Sequence, residues 1–348
     1  MVSCGPTTSS EAIPDHERYT YERYQPLKPT GQTASLMVKP WTAKSELFFP
    51  LKFLPLRDHI LIHDVKAEAM LQLFSLDGQQ ICSWGRQGQG PEEFSSIAQL
   101  LRGHEPESFW VWDINARHIK LFALSDVLAG RYAPRKDLTL ESAHGFPARI
   151  SRVLDDHFLA SGPFFLGRLL RYSQLDGQFQ GLIGSIPISD PGLHPRAHSA
   201  AFDGFSAFDE QKNVILLATM FGSLIERYDL NGQPLDTLIG PHRFFPDYRV
   251  VVDPQGVAHM VRNPGMREGY LDLDYHAESA TFYALYSGEE WQKNRYTMNG
   301  RTILVLDSSG QIKEHLRSER DFFEIEVAEN GTLYALADEG IFVLERQP

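Results

Sequence analysis

Four segments of the chain share one form, in which an apolar strand meets a small polar turn and a second strand follows: QLFSLDGQQICSW at 72–84, LLRYSQLDGQFQGLIG at 169–184, IERYDLNGQPLDTLIG at 225–240 and ILVLDSSGQIKEHL at 303–316. This recurring hairpin constrains the fold more than any other feature, because a small sheet cannot bury its faces alone and must stack on copies of itself. The turns carry Asp77-Gly78, Asp176-Gly177, Asn231-Gly232 and Ser309-Gly310. Three of these dipeptides suit type I′ geometry, with positive φ at both central residues. WVWDINARHIKLF at 110–122 supplies a further unit, and LIHDVKAEAMLQLF at 61–74 an earlier copy. No stretch beyond about residue 34 shows helical periodicity with caps. The 22 Phe, 13 Tyr and 5 Trp, with 27 Gly and 21 Pro, favour strands broken by turns.

Repeats of roughly 40 to 50 residues with four strands each predict an all-β, radially stacked propeller. Blades are expected at 47–84, 94–140, 148–186, 199–239 and 270–316. The last segment, 322–345, supplies only three strands, and 34–39 (ASLMVK) is a strand without a partner at the other end. That strand is expected to complete the sixth blade and close the ring, which removes the open edges that would pair with other chains. YRVVVDPQGVAHMVR at 248–262 is too short for a blade and reads as an inserted hairpin. The organisation expected is a tether and linker over 1–33 and a six-bladed propeller with four-stranded blades over 34–348.

Two cysteines, Cys4 and Cys82, cannot form a disulfide framework, and no CxxC or Cys/His cluster suggests structural zinc. Met1, Val2, Ser3, Cys4 and Gly5 resemble the end of a bacterial lipobox, in which the cysteine becomes the lipidated first residue. No apolar signal segment precedes it, as in a processed form with an added Met. The Pro, Thr and Ser cluster over 5–14 fits a flexible tether. No run of about 20 apolar residues follows, so no spanning helix is expected.

GRQGQGPEEF at 85–94, followed by WVWDINARHIKLF, resembles the NHL repeat, with Asp113, Asn115 and Arg117 at the matching positions and only Asp64 kept in the first blade. With the lipobox-like start and GYLDLDYHAESATFYALYSG at 269–288, the chain resembles the TolB-like six-bladed propellers of bacterial lipoproteins. The resemblance implies a fold and a bacterial envelope address, periplasmic or outer-membrane, and no substrate. In the repeat, Gly85, Gly88 and Gly90 are expected to take backbone angles closed to other residues, Phe94 to plug the blade seam, and Asp113 to bind backbone donors while pairing with Arg117.

Other function classes find little support. GxxGxG at 85–90 is not the dinucleotide GxGxxG, and no βαβ unit surrounds it. HExxH, GxSxG and the P-loop do not occur. A net charge of −12 opposes nucleic-acid binding, which requires cations to displace phosphate counterions. His194 and His198 have i,i+4 spacing, but the intervening Pro195 argues against a helical zinc pair. Asp272, Asp274 and His276 share one strand face and Glu324 and Glu326 another. Such rows could line the central channel with hydrogen-bonded acids or hold calcium, as in propeller lactonases.

In a four-stranded blade the second-to-third and blade-to-blade connections emerge on one face. That face is expected to receive the long loops 85–93, 131–147, 185–198, 240–269 and 287–301, which carry Arg86, Arg131, Arg135, His194, Arg196, His242, Arg243, Arg267, Trp291 and Arg295. Long loops on a compact domain are usually functional. The expected ligand-binding residues are Arg86, His194, Arg196, His242, Arg243, Arg267 and Trp291, with Arg as planar donors and Trp291 or Tyr248 as a stacking surface for an anionic or sugar-like ligand. The alternative is that these Arg side chains pair with loop carboxylates. The sequence therefore points to a monomeric, non-catalytic, envelope-anchored binding or scaffold propeller. It would present this face to a small molecule, glycan or protein, without cofactor, metal or nucleic acid, and would touch a membrane only through a lipid at Cys4. The alternative is a metal-dependent hydrolase or lyase using the channel acids.

Overall fold

Alternate side chains of a strand point to opposite faces of its sheet, and in this chain both faces are covered. In the strand His59–Asp64, Ile60 and Ile62 pack with Tyr334 and Leu336, while Leu61 packs on the other side with Phe109 and Val111. Strands in the middle of such a sheet must be apolar on both faces. Ser108–Asp113 and Val214–Thr219 accordingly read as continuous buried runs.

The computed structural model describes residues 19, 24–27, 29–105, 107–152, 156–190, 192–291 and 298–347. Six blades stand around an axis, each opening with an inner strand: Pro50–Pro55, Ile97–Arg102, Arg149–Arg152, Gly204–Asp209, Tyr270–His276 and Glu324–Val327. Each inner strand neighbours the next, and the sixth neighbours the first, so the ring is closed. An apolar cluster fills each seam between blades. The architecture is a six-bladed β-propeller.

Closure is made by the chain's first long strand, Pro29–Pro40. Its second half pairs antiparallel with Gly340–Arg346, with Leu36 opposite Arg346 and Pro40 opposite Phe342, and supplies the fourth strand of the sixth blade. Its first half pairs parallel with the outer strand of the fifth blade, from Pro29 opposite Ile312 to Ser35 opposite Arg317. Blades five and six thus form one eight-stranded sheet. Pairing extends further than the sequence expectation of 34–39. Tyr24–Pro26 lies parallel on the outer strand of the fourth blade, with Tyr24 opposite Thr237, so residues 24–27 and 29–33 are held by the propeller. Cys4 lies outside the described residues.

Several local expectations are corrected. The fourth blade begins at Gly204 because Pro195–Ala201 is a short helix. Pro195 sits at its first position, where a missing N–H costs nothing, so the proline starts the helix. A second short helix, Leu124–Leu128, lies between the third and outer strands of the second blade. The tight turns are not type I′. Only the glycine of each pair has positive φ, at 85°, 75°, 82° and 77° for Gly78, Gly177, Gly232 and Gly310. Ser75 donates to Gln79 O, and Gly78 donates back to Ser75 O, which is a three-residue loop ending in a left-handed glycine and a bulge.

Gly85 has positive φ, as expected, but Gly88 and Gly90 do not. The Glu93 carboxylate folds into that turn and accepts from the N–H of Gln89 (3.0 Å) and Gly90 (2.9 Å). A Cβ on Gly88 would lie 2.1 Å from Glu93 Oε2, so Gly88 makes room for that carboxylate. Phe94 is fully buried in the seam between the first two blades. Asp113 accepts from Ser95 N (2.5 Å), Ser96 N (3.0 Å) and Ala116 N (3.2 Å). Asp64 does the same in the first blade, for Phe48 N (2.6 Å), Phe49 N (2.8 Å) and Lys66 N (3.1 Å). Each carboxylate ties its blade's entry to its second strand, and hydrogen bonds to a charged group contribute about 1.5–3 kcal/mol each. Arg117 takes φ of 58° and donates to Ser142 Oγ, not to Asp113.

The segment between the fourth and fifth blades contains the expected hairpin, Tyr248–Val252 against Ala258–Arg262, as a separate two-stranded sheet. No helix among the described residues is long and apolar enough to cross a membrane.

The closing strand comes so near its partner that a Cβ on Gly31 would lie 2.5 Å from the backbone of Lys313. Gly31→Val should force the strands apart and lower the unfolding free energy by about 1–3 kcal/mol, the usual cost of overpacking. Denaturant unfolding measures this, and a value within error of the parent would show that the contact relaxes freely.

Candidate functional site

Every blade runs from inner to outer strand, so the connections fall into two sets on opposite faces. One face receives the longer insertions: 184–203 with its helix, 240–269 with its hairpin, and 287–299. The other receives mostly tight turns and the 124–135 connection. Arg131 and Arg135 lie in that connection, on the face opposite to the one expected. Both bind Asp126, Arg131 through Nε at 3.1 Å and Arg135 through Nε at 2.7 Å. Their guanidinium groups hold the Asp126 carboxyl below its ordinary range. They were misplaced because the short strand Lys136–Thr139, which separates them from the loop-rich face, has little apolar signature.

The loop-rich face gathers most of the remaining candidates. His242 Nδ1 lies 3.1 Å from Tyr286 OH, and Arg243 follows it, exposed. Arg267 lies 5.9 Å over the Phe244 ring, and its backbone bridges that of Glu290. The Trp291 N–H donates to Met266 O at 2.8 Å. His194 precedes the helix Pro195–Ala201, on which Arg196 is exposed. The hairpin joins the two groups: Tyr248 OH lies 2.8 Å from Nδ1 of His198, and Arg262 stacks between Phe221 (4.5 Å) and Trp291 (4.8 Å). Burial pulls the Arg262 guanidinium below its ordinary value, against the opposing charge of Glu268. Arg86 stands apart, in a groove at the edge of the first blade lined by Trp84, Glu92 and Tyr132. Arg295 lies outside the described residues.

Two properties of this face were not legible in the sequence. Among the described residues Arg196, Arg243, Arg249 and Arg267 form no ion pair, in contrast to Arg131 and Arg135. The face also exposes Phe146, Phe165, Leu166, Leu193, Val251, Val252 and Val257, with Leu166 at 62% and Leu193 at 70%. In the sequence these apolar residues look like core.

The acidic rows meet in the central channel, where most serve the scaffold. Asp272 accepts from Ile325 N (2.9 Å) and Asp274 from Val327 N (2.7 Å), bridging the fifth inner strand to the sixth. Glu324 accepts from Phe53 N and pairs with Lys52, bridging the sixth to the first. Gln99 performs the same task between the second and third, accepting from Ile150 N at 2.5 Å. Glu326 faces Arg102 at 3.6 Å. Gln99, Asp272 and Asp274 also line a cavity of about 390 Å³, together with Arg102, Ser206 and Glu326, which reaches Ala277 and Glu329 at the tight-turn face. Among the described residues no group of three His, Cys, Asp or Glu side chains is placed to hold a metal ion.

Burial, reinforced by Glu324, pushes the Asp272 carboxyl up to about 7. Burial and the neighbouring Asp274 raise Glu326 well above the ordinary range. The folded chain therefore holds more protons here than the unfolded chain between about pH 4 and 7, and stability should fall as pH rises through that window. Glu326→Gln removes one of the crowded charges. It should raise the melting temperature at pH 8 and flatten the decline between pH 5 and 8. Parallel melting curves for the two proteins would show the acids to be independent.

The geometry defines a closed six-bladed propeller with one elaborated face and a narrow acid-lined channel. The chain belongs to the TolB-like 6-blade propeller-like family, whose model matches residues 37–330. Among solved structures it is similar to a member of the DUF4221 family from Bacteroides vulgatus, with 7% identity, 90% of this chain and 96% of that chain covered, and a TM-score of 0.57. It is also similar to a Bacteroides fragilis protein described as a candidate exported protein, with 10% identity, 93% and 99% covered, and a TM-score of 0.56. At these identities the likeness is one of fold. A comparison with curated proteins gives no match.

Proposed function

We propose that the chain is a non-catalytic binding or scaffold propeller that works outside the cytoplasm and holds a protein partner on its loop-rich face. One observation carries this reading: apolar side chains such as Leu166 and Leu193 stand exposed on the same face as Arg196, Arg243 and Arg267, which have no ion-pair partner among the described residues. Exposed apolar surface mixed with unpaired Arg is the composition of an interaction surface. A propeller fold is compatible with such a role without requiring it. The amino-terminal strands cover the outer edges of the fourth and fifth blades and complete the sixth, which reduces the edge available for self-pairing and favours a monomer. The extracytoplasmic address is supported by Val2-Ser3-Cys4-Gly5 and by the description of the Bacteroides fragilis neighbour.

A photoreactive residue at position 166 or 193, introduced into the protein in its native cells, should give a discrete cross-linked adduct. The same group at Leu175, exposed on the opposite face, should give none. Equal labelling from all three positions, or labelling only from 175, would remove the face assignment. For the address, Cys4→Ala in the full precursor should release the protein from the membrane fraction, and retention there would rule out the anchor.

A further inference from the structure

The hairpin 248–262 is a two-stranded sheet that belongs to no blade, and unlike the other such sheet, the short parallel pair Arg86–Gln87 and Glu93–Phe94, it has five residues in each strand. Isolated hairpins are marginal in water. This one is anchored from below by buried Tyr248 and by Val250 and Met260 against Phe202 and Tyr19. The helix Pro195–Ala201 lies along its second strand. At its tip Asp253 accepts from Gln255 N (3.0 Å) and Val257 N (2.8 Å) and meets Nε2 of His259 at 2.8 Å.

The register shows where its hydrogen-bonding capacity goes. Asp253 N donates to Val257 O, and Asn263 N donates to Asp247 O. In an antiparallel pair the bonded positions alternate, so residues 247, 249, 251 and 253 bond to the second strand. The main-chain groups of Val250 and Val252 therefore point away from it, and no described residue pairs with them. An unpaired edge of this kind is a template for strand addition, which proteins normally blunt with Pro, Lys or a covering element. Here the strand reads RVVV, and Val251 and Val252 are exposed at 42% and 51%.

We propose that the first strand of this hairpin receives an extended, acidic-flanked segment of the partner protein as a third β-strand. Main-chain hydrogen bonds at Val250 and Val252 supply the docking. Arg249 within the strand and Arg243, five residues before it in the chain, have no ion-pair partner among the described residues and select carboxylates, Arg249 donating only to Asn263 Oδ1 at 3.3 Å. This deepens the reading of the loop-rich face and rests on it.

The test uses a fluorescent peptide of alternating Val and Thr with Asp at each end, titrated against the full chain. Saturable binding is expected, with slowed amide exchange at Val250 and Val252. Val252→Pro removes an edge donor without breaking a bond within the hairpin, and should weaken binding by about tenfold or more. Val252→Thr keeps the donor and should bind within about threefold of the parent. Absence of saturable binding, equal loss in both variants, or no exchange protection at the two amides would overturn strand addition. So would association with anionic vesicles that the peptide does not displace. If cross-links at 166 and 193 form normally while Val252→Pro changes nothing, the face remains the docking surface and the edge does not.

Discussion

The hydrogen bonds of one strand, Pro29–Pro40, decide whether the other sheets have a stable place to stand. It bonds on one side to the outer strand of the fifth blade and on the other to the third strand of the sixth, so the ring is joined by backbone pairing between the chain's two ends. The six seam clusters are apolar and non-directional and could not fix how many blades meet. The register of the closing strand does, because it pairs residues more than 300 positions apart, as the link from Lys39 to Glu345 shows.

Inside the ring the same problem of adjacent edges is solved with side chains. Inner strands of neighbouring blades are too splayed to pair along their backbones. Asp272, Asp274, Glu324 and Gln99 reach across and take N–H groups of the next strand. The cost is crowding of carboxylates in a poorly hydrated channel, which is why their proton affinities rise. Acids committed to backbone donors are poorly available as ligands for anything else, so the channel acids belong first to the scaffold.

Much of this was legible in advance for a physical reason. A blade needs four strands, and a last segment with three beside a first strand with no partner leaves one economical solution. The hairpin at 248–262 was legible for the same reason of length. What failed depended on information carried by tertiary contact. The Asp-Gly and Asn-Gly dipeptides specify a reversal but not its length, and loops of three residues, or four at 174–177, with a bulge match the twist of these strands as well. Pro195 was read as a helix breaker, although at a first helical position it is a starter. Arg131 and Arg135 went to the wrong face because KDLT barely announces a strand. Phe165, Leu166 and Leu193 carry no mark that separates an exposed apolar residue from a core one.

The path of the amino-terminal segment has a mechanical consequence. Tyr24–Pro26 lies on the fourth blade before the chain enters the long strand that joins the fifth and sixth, and Tyr19 stacks on Phe245 and meets Phe202 edge to face. A tug arriving from the amino end would meet these aromatic contacts and the short ladder first. They would yield as a sacrificial clamp while the ring stayed shut, in the manner of strain relief on a cable.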